Sequence, residues 1–522
     1  MRNANLFLAL PVILVLTVCS EGIGKTIALP QWRNIKTVAD TLMSGDTILC
    51  DSGIYQGFEL TNLYDSLNPL IIKSKVLHGA QVIAGSKVSF YGARGVVFDG
   101  FEVRGPNVST NSGLVHVSNN ADYITIKNCH IHNAPLDADC IKANQAGHVN
   151  VIGCDLHDPG LRAAGNGPQE TCDYLDIHGG VVRGNIFRWT TQVARQYFNA
   201  KGGSSDIILE NNIFLNHQGG VGDPAVQLGG YSGAQYIDGG YEGVREIMRN
   251  NIVIASTTGG VSFINCNGGY VYNNLFINCV TNAIVGVATS VGTGSNGGNT
   301  DVYLFNNIFY NANGDMPRVM GGSTSILSNF YHGNNLYYNG GGNILAGFYN
   351  PNTETGRVMA DPLITMLDSG SYESIINSLA IAVTSPAIDS GAIPDAVTPG
   401  VPLDIRGASR PLGSAYDIGP LEVNPTKAEN GGRNTIQKDR IVVCPNPFNP
   451  VTAITLNAAI AGGQYTLEIY DIYGRHIDAF KTNGAVLKKG FVWNAYGYAS
   501  GIYLITVYTG TQVFSDRLVM LK

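Results

Sequence analysis

Eight copies of an Asn-rich octad recur through the middle of the chain, and their spacing constrains the fold more than any other feature. The copies are IKNCHIHN at 126–133, VIGCDLHD at 151–158, VRGNIFRW at 182–189, LENNIFLN at 209–216, MRNNIVIA at 248–255, VYNNLFIN at 271–278, LFNNIFYN at 304–311 and HGNNLYYN at 332–339. The first residue of each central pair, from Asn128 to Asn334, is 23 to 39 residues from the next. A period of this length is typical of solenoids, in which each repeat forms one coil.

Each octad has the composition of two short strands joined by a tight turn. β-Branched and aromatic residues, which favour strands, lie on both sides of an Asn or Gly that tolerates left-handed backbone angles. Stacking one such corner per coil gives a parallel β-helix with apolar side chains inside. Successive asparagines then lie above one another at the strand spacing of ~4.8 Å and hydrogen-bond as a ladder. We therefore interpret the octad asparagines as scaffold.

The composition supports an all-β fold and excludes one class of partner. The chain has 522 residues, and because a solenoid lengthens without widening, we expect one long domain with an appendage. Only 14% of the residues are charged and 65 are glycine, which fits stacked strands and tight turns. A formal net charge of −7 provides no basic surface, so we exclude nucleic acid as the main partner. We expect a monomer.

The N-terminus has the pattern of a secretory signal peptide. Arg2 is followed by an apolar run at 6–18 and by small residues at the spacing that a signal peptidase recognises, which predicts a signal at 1–20, cleaved after Ser20. Residues 16–19 also allow a lipoprotein interpretation, although valine before the cysteine fits that motif poorly. No other apolar run is long enough to span a membrane.

Two cysteines occupy the same octad position in consecutive coils. Cys129 and Cys154 either form a disulfide or stack as buried thiols in place of asparagines. We favour stacking, because regular β-helix coils hold such columns without a bridge. None of the cysteines has the spacing of a metal site.

Segments at both ends of the octad region have the patterns of closing structures. Residues 35–44 have helical spacing and predict an N-terminal cap, which a solenoid needs to cover its apolar interior and its open strand edge. Further motifs are GDTI at 45–48, GIY at 53–55, SPAIDSG at 385–391, DIRG at 404–407 and DIGPLE at 417–422. These segments resemble the entry and closing segments of secreted right-handed β-helix proteins. The resemblance implies a right-handed parallel β-helix over residues 26–425.

A second domain is predicted after a polar linker at 426–440. Residues 441–522 contain strands with period-two alternation, which predicts a small β-sandwich. The characteristic segments are PNPFNP at 445–450, LEIYDIYGR at 467–475 and SGIYL at 500–504. They resemble the C-terminal sorting domain of type IX secretion substrates. The resemblance implies the type IX secretion machinery as a partner, and a protein that is secreted or attached to the cell surface.

The strands that precede four octads predict one outward face with aligned polar residues. These strands are IKAN at 141–144, LDIH at 175–178, FNAK at 198–201 and VQLG at 226–229. With apolar residues pointing inward, neighbouring outward residues lie ~5 Å apart in columns. One column holds Lys142, Asp176, Asn199 and Gln227, the other holds Asn144, His178, Lys201 and Gly229, and Tyr174 and Tyr197 form a third.

Two long loops, at 159–172 and 229–243, are expected to extend from opposite sides of this face and to wall a groove. An extended polymer in such a groove meets aromatic rings, carboxylates and cations in a repeating array, which suits an acidic polysaccharide. The residues expected to contact the substrate are Tyr174, Tyr197, Asn199, Gln227 and Arg195.

Secreted β-helices of this organisation resemble polysaccharide lyases of the pectate lyase, alginate lyase and chondroitinase B type. Such enzymes need a base and a positive charge that stabilises an enolate-like intermediate. By resemblance, Lys201 or His178 is the base, and Lys142 lowers the pKa of Lys201. Asp176 and Asp173 are expected to bind Ca²⁺. The calcium and base motifs of individual lyase families are not matched, so the resemblance extends to the reaction class only.

Three alternatives remain open from the sequence. Polar residues alternate along many stacked strands simply because opposite charges pair well, so the face can be structural. A glycoside hydrolase would use two carboxylates, for which Asp173 with Asp176, or Asp139 with Asp176, are candidates. A surface protein that binds glycans without cleaving them would also display a polar face.

Overall fold

The computed structural model describes the chain from residue 24 to residue 520, with gaps. The gaps are residue 32 and residues 84–86, 106–111, 163–164, 166, 221–222, 238, 280–283, 286–297, 315–326, 343, 345–349, 366–369, 393–400, 425–439, 445–447, 458–463, 472–475 and 509–512. The predicted signal peptide lies outside the described residues, and so does the predicted linker apart from Arg440. Within the described segments, no helix is both long and apolar enough to cross a membrane.

Parallel strands form three long sheets that wind into a right-handed β-helix, as predicted. Sheet 1 contains Phe58–Leu60, Val88–Tyr91, Ser112–Ser118, Ala138–Ile152, Cys172–Arg183, Phe198–Lys201, Val226–Gly229, Val261–Ile264 and Ile284–Val285. Sheet 2 contains Thr26–Leu29, Thr47–Cys50, Leu70–Ser74, Arg94–Asp99, Asp122–Lys127, Ser204–Glu210, Gly243–Arg249, Cys266–Tyr272, Asn299–Phe305 and Leu327–Gly333, and shares Ala138–Ile152 and Cys172–Arg183 with sheet 1. Sheet 3 contains Gly53–Tyr55, Ala80–Ile83, Glu102–Arg104, His130–His132, Asp155–His157, Ile186–Arg188, Ile213–Leu215, Ile252–Ile254, Leu275–Ile277, Ile308–Asn311 and Leu336–Asn339.

The octads form the corners between sheets 2 and 3. The first residue of every central pair is left-handed, with φ values between 50° for Asn128 and 66° for Gly184. The second residues point inward and form a buried amide ladder, in which each side chain donates to the next at 2.9 to 3.0 Å. The ladder consists of Asn185, Asn212, Asn251, Asn274, Asn307 and Asn335. Both the corner geometry and the ladder confirm the sequence-based interpretation.

Cys129 and Cys154 extend this buried column as free thiols. The backbone N–H of Cys129 donates to Cys154 Sγ at 3.4 Å, and the N–H of Cys154 donates to Asn185 Oδ1 at 2.8 Å. Stacking, rather than a disulfide, is therefore confirmed for this pair.

A short helix, Ile35–Ala39, lies at the N-terminal end, and the predicted cap at 35–44 is therefore helical only in its first half. The Asn34 side chain caps this helix by accepting from Thr37 N. Ile35 and Val38 are buried against the first coils, which is the role expected of a cap.

The segment after the last coil returns along the outside of sheet 3. It contains a 3₁₀ turn at Pro351–Thr353, the strand pair Ile364–Thr365 and Ala380–Ile381, and the helix Tyr372–Ser378. Its apolar residues pack on the outward isoleucines and leucines of sheet 3. Those outward residues are Ile186, Ile213, Leu215, Ile252, Ile254, Leu275, Ile277, Ile308 and Leu336. The segment is therefore structural, as predicted, and its described residues cover the later coils.

The C-terminal region is a small domain of two antiparallel sheets. One sheet contains Arg440–Cys444, Val451–Asn457 and Phe491–Asn494, and the other contains Gln464–Asp471, His476–Asn483, Gly501–Tyr508 and Val513–Met520. A helix at Gly484–Lys489 precedes Phe491, and the buried Trp493 lies in the domain's own apolar core. The predicted all-β fold class, with a β-helix followed by a small β-sandwich, is confirmed.

Candidate active site

The outward column of sheet 1 is close to the predicted one but differs at one coil. Lys142 pairs with Asp173, Asp173 with Asn199, and Asn199 with Gln227. Lys142, Asn199 and Gln227 therefore share a column as predicted, whereas the position given to Asp176 belongs to Asp173. The strand at 172–175 is thus three residues out of the predicted register.

Asp176 and His178 lie away from this column, so their predicted placement is wrong. Asp176 has a φ of 59° and forms the bend between sheets 1 and 2. His178 is on sheet 2, in register with Ser205. Its Nε2 is 3.1 Å from Asp176 Oδ1, and its Nδ1 is 3.0 Å from Ser205 Oγ. The two residues form a separate exposed pair, so the predicted calcium-binding pair of Asp173 and Asp176 is not formed.

Tyr174 and Tyr197 point inward, which overturns their predicted place on the outer face. Both side chains are completely buried. Their hydroxyl groups donate to the backbone carbonyls of Val149 at 3.1 Å and Leu215 at 2.5 Å. Because a buried tyrosine needs a partner for its hydroxyl, these bonds allow both rings to join the core. Neither ring is accessible to a polysaccharide.

Two lysines and two aspartates are in direct contact on sheet 1. Lys142 Nζ donates to Asp173 Oδ2 at 2.7 Å and to Asp139 Oδ2 at 3.0 Å. Lys201 Nζ lies 2.9 Å from Asp173 Oδ1. Asp173 therefore bridges two ammonium groups that come from the coils on either side of it. Together with Glu170, whose carboxylate is within 4.8 Å of both aspartates, these residues are called the charged cluster below.

Two arginines extend the charged cluster at its edge. Arg162 Nη2 donates to Glu170 Oε1 at 3.3 Å, and Arg195 Nη1 donates to the same oxygen at 3.5 Å. Arg195 Nε also donates to Asp223 Oδ1 at 3.1 Å. Arg195 thus lies beside the cluster, and its contact with substrate remains a prediction.

The charged cluster has two layers, with carboxylates beneath and cations above. The side chains of Asp139 and Asp173 are 2% exposed and that of Glu170 is 4% exposed. Lys142 and Lys201 are 25% and 18% exposed. A molecule that approaches sheet 1 here therefore meets ammonium groups, while the carboxylates that balance them are out of reach.

Burial and ion pairing shift the pKa values of the charged cluster in opposite directions. Burial, with the nearby Asp173 and Glu170 carboxylates, raises the pKa of Asp139 to about 8. Burial also opposes ionisation of Asp173, but Lys201 and Lys142 outweigh it and hold its pKa below the usual range. Burial likewise opposes protonation of both lysines, but Asp173 outweighs it and raises their pKa values. Lys142 does act to lower the pKa of Lys201, as expected, but the Asp173 and Glu170 carboxylates outweigh it and the net shift of the pKa is upward.

The backbone around Lys201 is held in place by the loop at 229–243. Gly202 has a φ of 66°, a conformation that favours glycine, and its N–H donates to the buried Glu242 at 2.7 Å. Gly230 passes so close that an added Cβ would lie 2.7 Å from Lys201 Cβ. This loop leaves sheet 1 at the C-terminal ends of its strands, whereas the loop that carries Glu170 enters at their N-terminal ends. The two loops therefore lie at opposite edges of the face, as predicted.

Asn199 and Gln227 continue the column beyond the charged cluster but are almost fully buried. Gln227 Nε2 donates to Asn199 Oδ1 at 3.1 Å, and Gln196 Nε2 donates to Gln227 Oε1 at 3.3 Å. These amides tie neighbouring coils together. Their predicted contact with substrate remains untested.

His116 is a further residue of this face that the sequence analysis missed. It lies one coil before Lys142 in the same column. Its Nε2 is 2.6 Å from Asn144 Oδ1 and its Nδ1 is 3.2 Å from Lys87 Nζ. Burial lowers its pKa, so the imidazole is neutral at pH 7. The apolar residues on both sides of it, Val115 and Val117, are the sequence signal that it points outward.

The charged cluster does not fit a calcium ion while Lys142 is in place. Ca²⁺ prefers six or more oxygen ligands at about 2.3 to 2.6 Å. Asp139, Glu170 and Asp173 offer oxygens within 4.8 Å of one another, but Lys142 Nζ already contacts two of these three carboxylates. The ammonium group thus supplies the positive charge that a bound cation would bring.

Comparison with known proteins identifies the C-terminal domain. Residues 442–521 match the family described as the secretion system C-terminal sorting domain. The chain is therefore an exported β-helix protein with a type IX sorting domain, secreted or attached to the cell surface. A search of curated protein sequences found no significant match to the chain.

Solved structures with similar coils include polysaccharide-modifying enzymes. A PL6 family polysaccharide lyase from Pseudopedobacter saltans is 13% identical with a TM-score of 0.41, and the match covers 64% of this chain and 92% of that one. An alginate lyase from Paenibacillus sp. is 12% identical with a TM-score of 0.37, covering 60% and 99%. The A-module of a mannuronan C-5 epimerase from Azotobacter vinelandii is 12% identical with a TM-score of 0.39, covering 63% and 93%.

Proposed function

We propose that this protein cleaves a uronate-containing polysaccharide by β-elimination at the charged cluster. The observation that carries the proposal is the two-layer arrangement, in which Lys142 and Lys201 are accessible above nearly buried carboxylates. A carboxylate on a sugar ring that binds here is neutralised by the ammonium group of Lys142 and the guanidinium group of Arg195. Neutralising that carboxylate makes the proton on the adjacent carbon more acidic and stabilises the enolate-like intermediate formed when the proton leaves.

The proposed mechanism assigns different roles to the cations. Lys142, which donates to two buried aspartates, is fixed in position and binds the uronate carboxylate together with Arg195. Lys201, in its neutral form, removes the proton. The electron pair then forms the new double bond as the bond to the leaving sugar oxygen breaks. That oxygen takes up a proton from the solvent, to which Lys201 later releases the proton that it removed. Because Asp173 raises the pKa of Lys201, little of the neutral amine is present at pH 7, and the rate increases as the pH rises.

The same geometry gives less support to hydrolysis. A glycoside hydrolase needs two carboxyl groups that reach the scissile bond from either side. Asp139 and Asp173 are almost inaccessible and their carboxylates are bonded to Lys142. Asp176, the other predicted partner, is paired with His178.

Incubation with a panel of polyuronates and a neutral glucan tests the proposal. We expect an unsaturated, UV-absorbing product from at least one polyuronate and none from the glucan. Lys201→Ala and Lys142→Ala should each abolish formation of the unsaturated product. The control Lys127→Ala, which removes a lysine of sheet 2, should leave its formation unchanged. New reducing ends without UV absorption would show hydrolysis instead, and retention on the polymer without cleavage would show a binding protein.

A further inference from the structure

Three histidines converge on the outer surface of sheet 3, in coils that the described residues of the returning segment do not cover. His130 and His132 alternate with the buried Ile131 on one strand, so both imidazoles point outward. His157 is on the next strand, in register with His132. The cluster belongs to a different sheet from the charged cluster and does not depend on the proposed function.

The imidazoles are close enough to share a ligand. One ring nitrogen of each histidine lies within 4.8 Å of those of the other two. His130 Nε2 and His157 Nε2 are 2.9 Å apart, and His132 Nε2 is 3.2 Å from Glu102 Oε1. Around a tetrahedral zinc ion with Zn–N bonds of about 2.0 to 2.1 Å, ligand nitrogens lie roughly 3.4 Å apart. Small side-chain rotations therefore bring the three nitrogens to coordinating distances.

The surrounding carboxylates orient the rings and balance the charge of a cation. His157 Nδ1 is 2.9 Å from Asp158 Oδ2, which holds the Nδ1–H tautomer and leaves Nε2 as the coordinating atom. Asp158 itself is fixed by the backbone N–H groups of Thr190 and two following residues. Glu102, on the preceding coil, is 3.2 Å from His132 Nε2 through its Oε1, which also contacts Arg104 Nε at 2.9 Å, and its Oε2 accepts from Gln81 Nε2 at 2.7 Å. Its carboxylate therefore orients His132, and it would have to leave Arg104 to act as a fourth ligand.

The position of the cluster indicates what a metal ion would contribute. In later coils the same columns of sheet 3 hold apolar residues such as Ile213 and Leu215, which pack beneath the returning segment. In the earlier coils that cover is replaced by polar side chains. An ion held by His130, His132 and His157 connects two successive coils where, among the described residues, polar side chains take the place of the apolar layer.

We propose that His130, His132 and His157 bind one divalent transition-metal ion, with Zn²⁺ as the preferred species, as a structural link between coils. Three imidazoles with a carboxylate or water in the fourth position form a common zinc environment. Imidazole ligands also favour Zn²⁺, Cu²⁺ and Ni²⁺ over Ca²⁺ and Mg²⁺.

Equilibrium dialysis of the full chain, purified without a polyhistidine tag and stripped with chelator, tests the proposal with Zn²⁺ alone as the probe. We expect one tightly bound ion per chain and a higher melting temperature in its presence. His130→Ala and His157→Ala should each weaken binding by about 100-fold, whereas His148→Ala, which removes an exposed histidine of sheet 2, should leave it unchanged. Co²⁺ should bind to the wild-type chain with the visible absorption of a tetrahedral site.

The variants must be shown to fold, because a loss of binding by an unfolded chain carries no information. Circular dichroism of each stripped variant provides that check, and His157→Gln serves as a second variant if His157→Ala unfolds. Absence of stoichiometric Zn²⁺ binding to the wild-type chain would overturn the proposal. Binding that persists unchanged in folded His130→Ala and His157→Ala chains would overturn it equally.

Discussion

Replacing one amide of the buried ladder should destabilise the β-helix by a predictable amount. Asn274 is fully buried, and its Oδ1 accepts from the backbone N–H of Asn251 at 2.9 Å and from the side chain of Asn251 at 3.0 Å. Its Nδ2 donates to Met248 O at 2.9 Å and to Asn307 Oδ1 at 3.0 Å. Its Nδ2 also donates to Tyr272 O at 3.1 Å, so Asn274→Ala removes five contacts and provides no substitute.

The magnitude follows from what each buried group loses. The backbone N–H of Asn251 is left without its acceptor, which costs about 1 to 3 kcal/mol. The bonds donated by Asn274 Nδ2 to Met248 O, Tyr272 O and Asn307 Oδ1 contribute about 0.5 to 1.5 kcal/mol each. We therefore expect the free energy of unfolding to fall by about 4 kcal/mol.

Urea denaturation followed by far-UV circular dichroism measures this change. Asn313→Ala is the matched control, because Asn313 is an exposed residue in a turn of a neighbouring coil, and we expect it to change the free energy of unfolding by less than about 0.5 kcal/mol. An Asn274→Ala chain as stable as the control would refute the reasoning, since it would show that the ladder contributes no net stability.

Three further outcomes are expected. Asp173→Asn should lower the free energy of unfolding by about 3 to 5 kcal/mol, because it breaks a buried bridge between two cations. In the same urea titration the control Asp206→Asn, which breaks an exposed ion pair, should lower the free energy of unfolding by less than about 1 kcal/mol. The kcat/KM for elimination should rise about tenfold per pH unit above about pH 7, because the raised pKa of Lys201 keeps the amine protonated; a plateau near neutrality would contradict Lys201 as the base. Depolymerisation should continue in the presence of chelator, since Lys142 already neutralises the buried carboxylates; a loss restored by Ca²⁺ would contradict this.

The corners of the octads were predictable because their chemistry is local. Asn and Gly tolerate left-handed backbone angles, and all eight octads have such a residue at the same place. The ladder was predictable because stacked corners place equivalent side chains one strand spacing apart, within hydrogen-bonding distance. These features depend on the repeat itself and not on the long loops between repeats.

The register of sheet 1 was mispredicted because the bend between sheets 1 and 2 uses other residue types. Gln145 and Asp176 are left-handed at this bend, with φ values of 52° and 59°. Each lies eight residues before the left-handed residue of its octad, as Asp176 does before Gly184. If the strands are aligned by the number of residues that separate them from their octads, instead of by their apolar residues, Asp173 lies beside Lys142.

An odd shift in register also reverses the two faces of a strand. For this reason Tyr174 was expected outside and lies inside, in register with Ala143 and Ala200. Glu170 was missed for a different reason. It lies in an irregular loop, and its approach to Asp139 depends on the path of that loop and not on any strand pattern.

Cleavage of the preferred polyuronate in oxygen-18-labelled water tests the central claim most directly. In β-elimination the glycosidic oxygen stays with the leaving sugar and no water is consumed, so mass spectrometry at early times should find no label in the products. Incorporation of one labelled oxygen per cleaved bond, before exchange at the new reducing ends, would show hydrolysis and contradict elimination at the charged cluster.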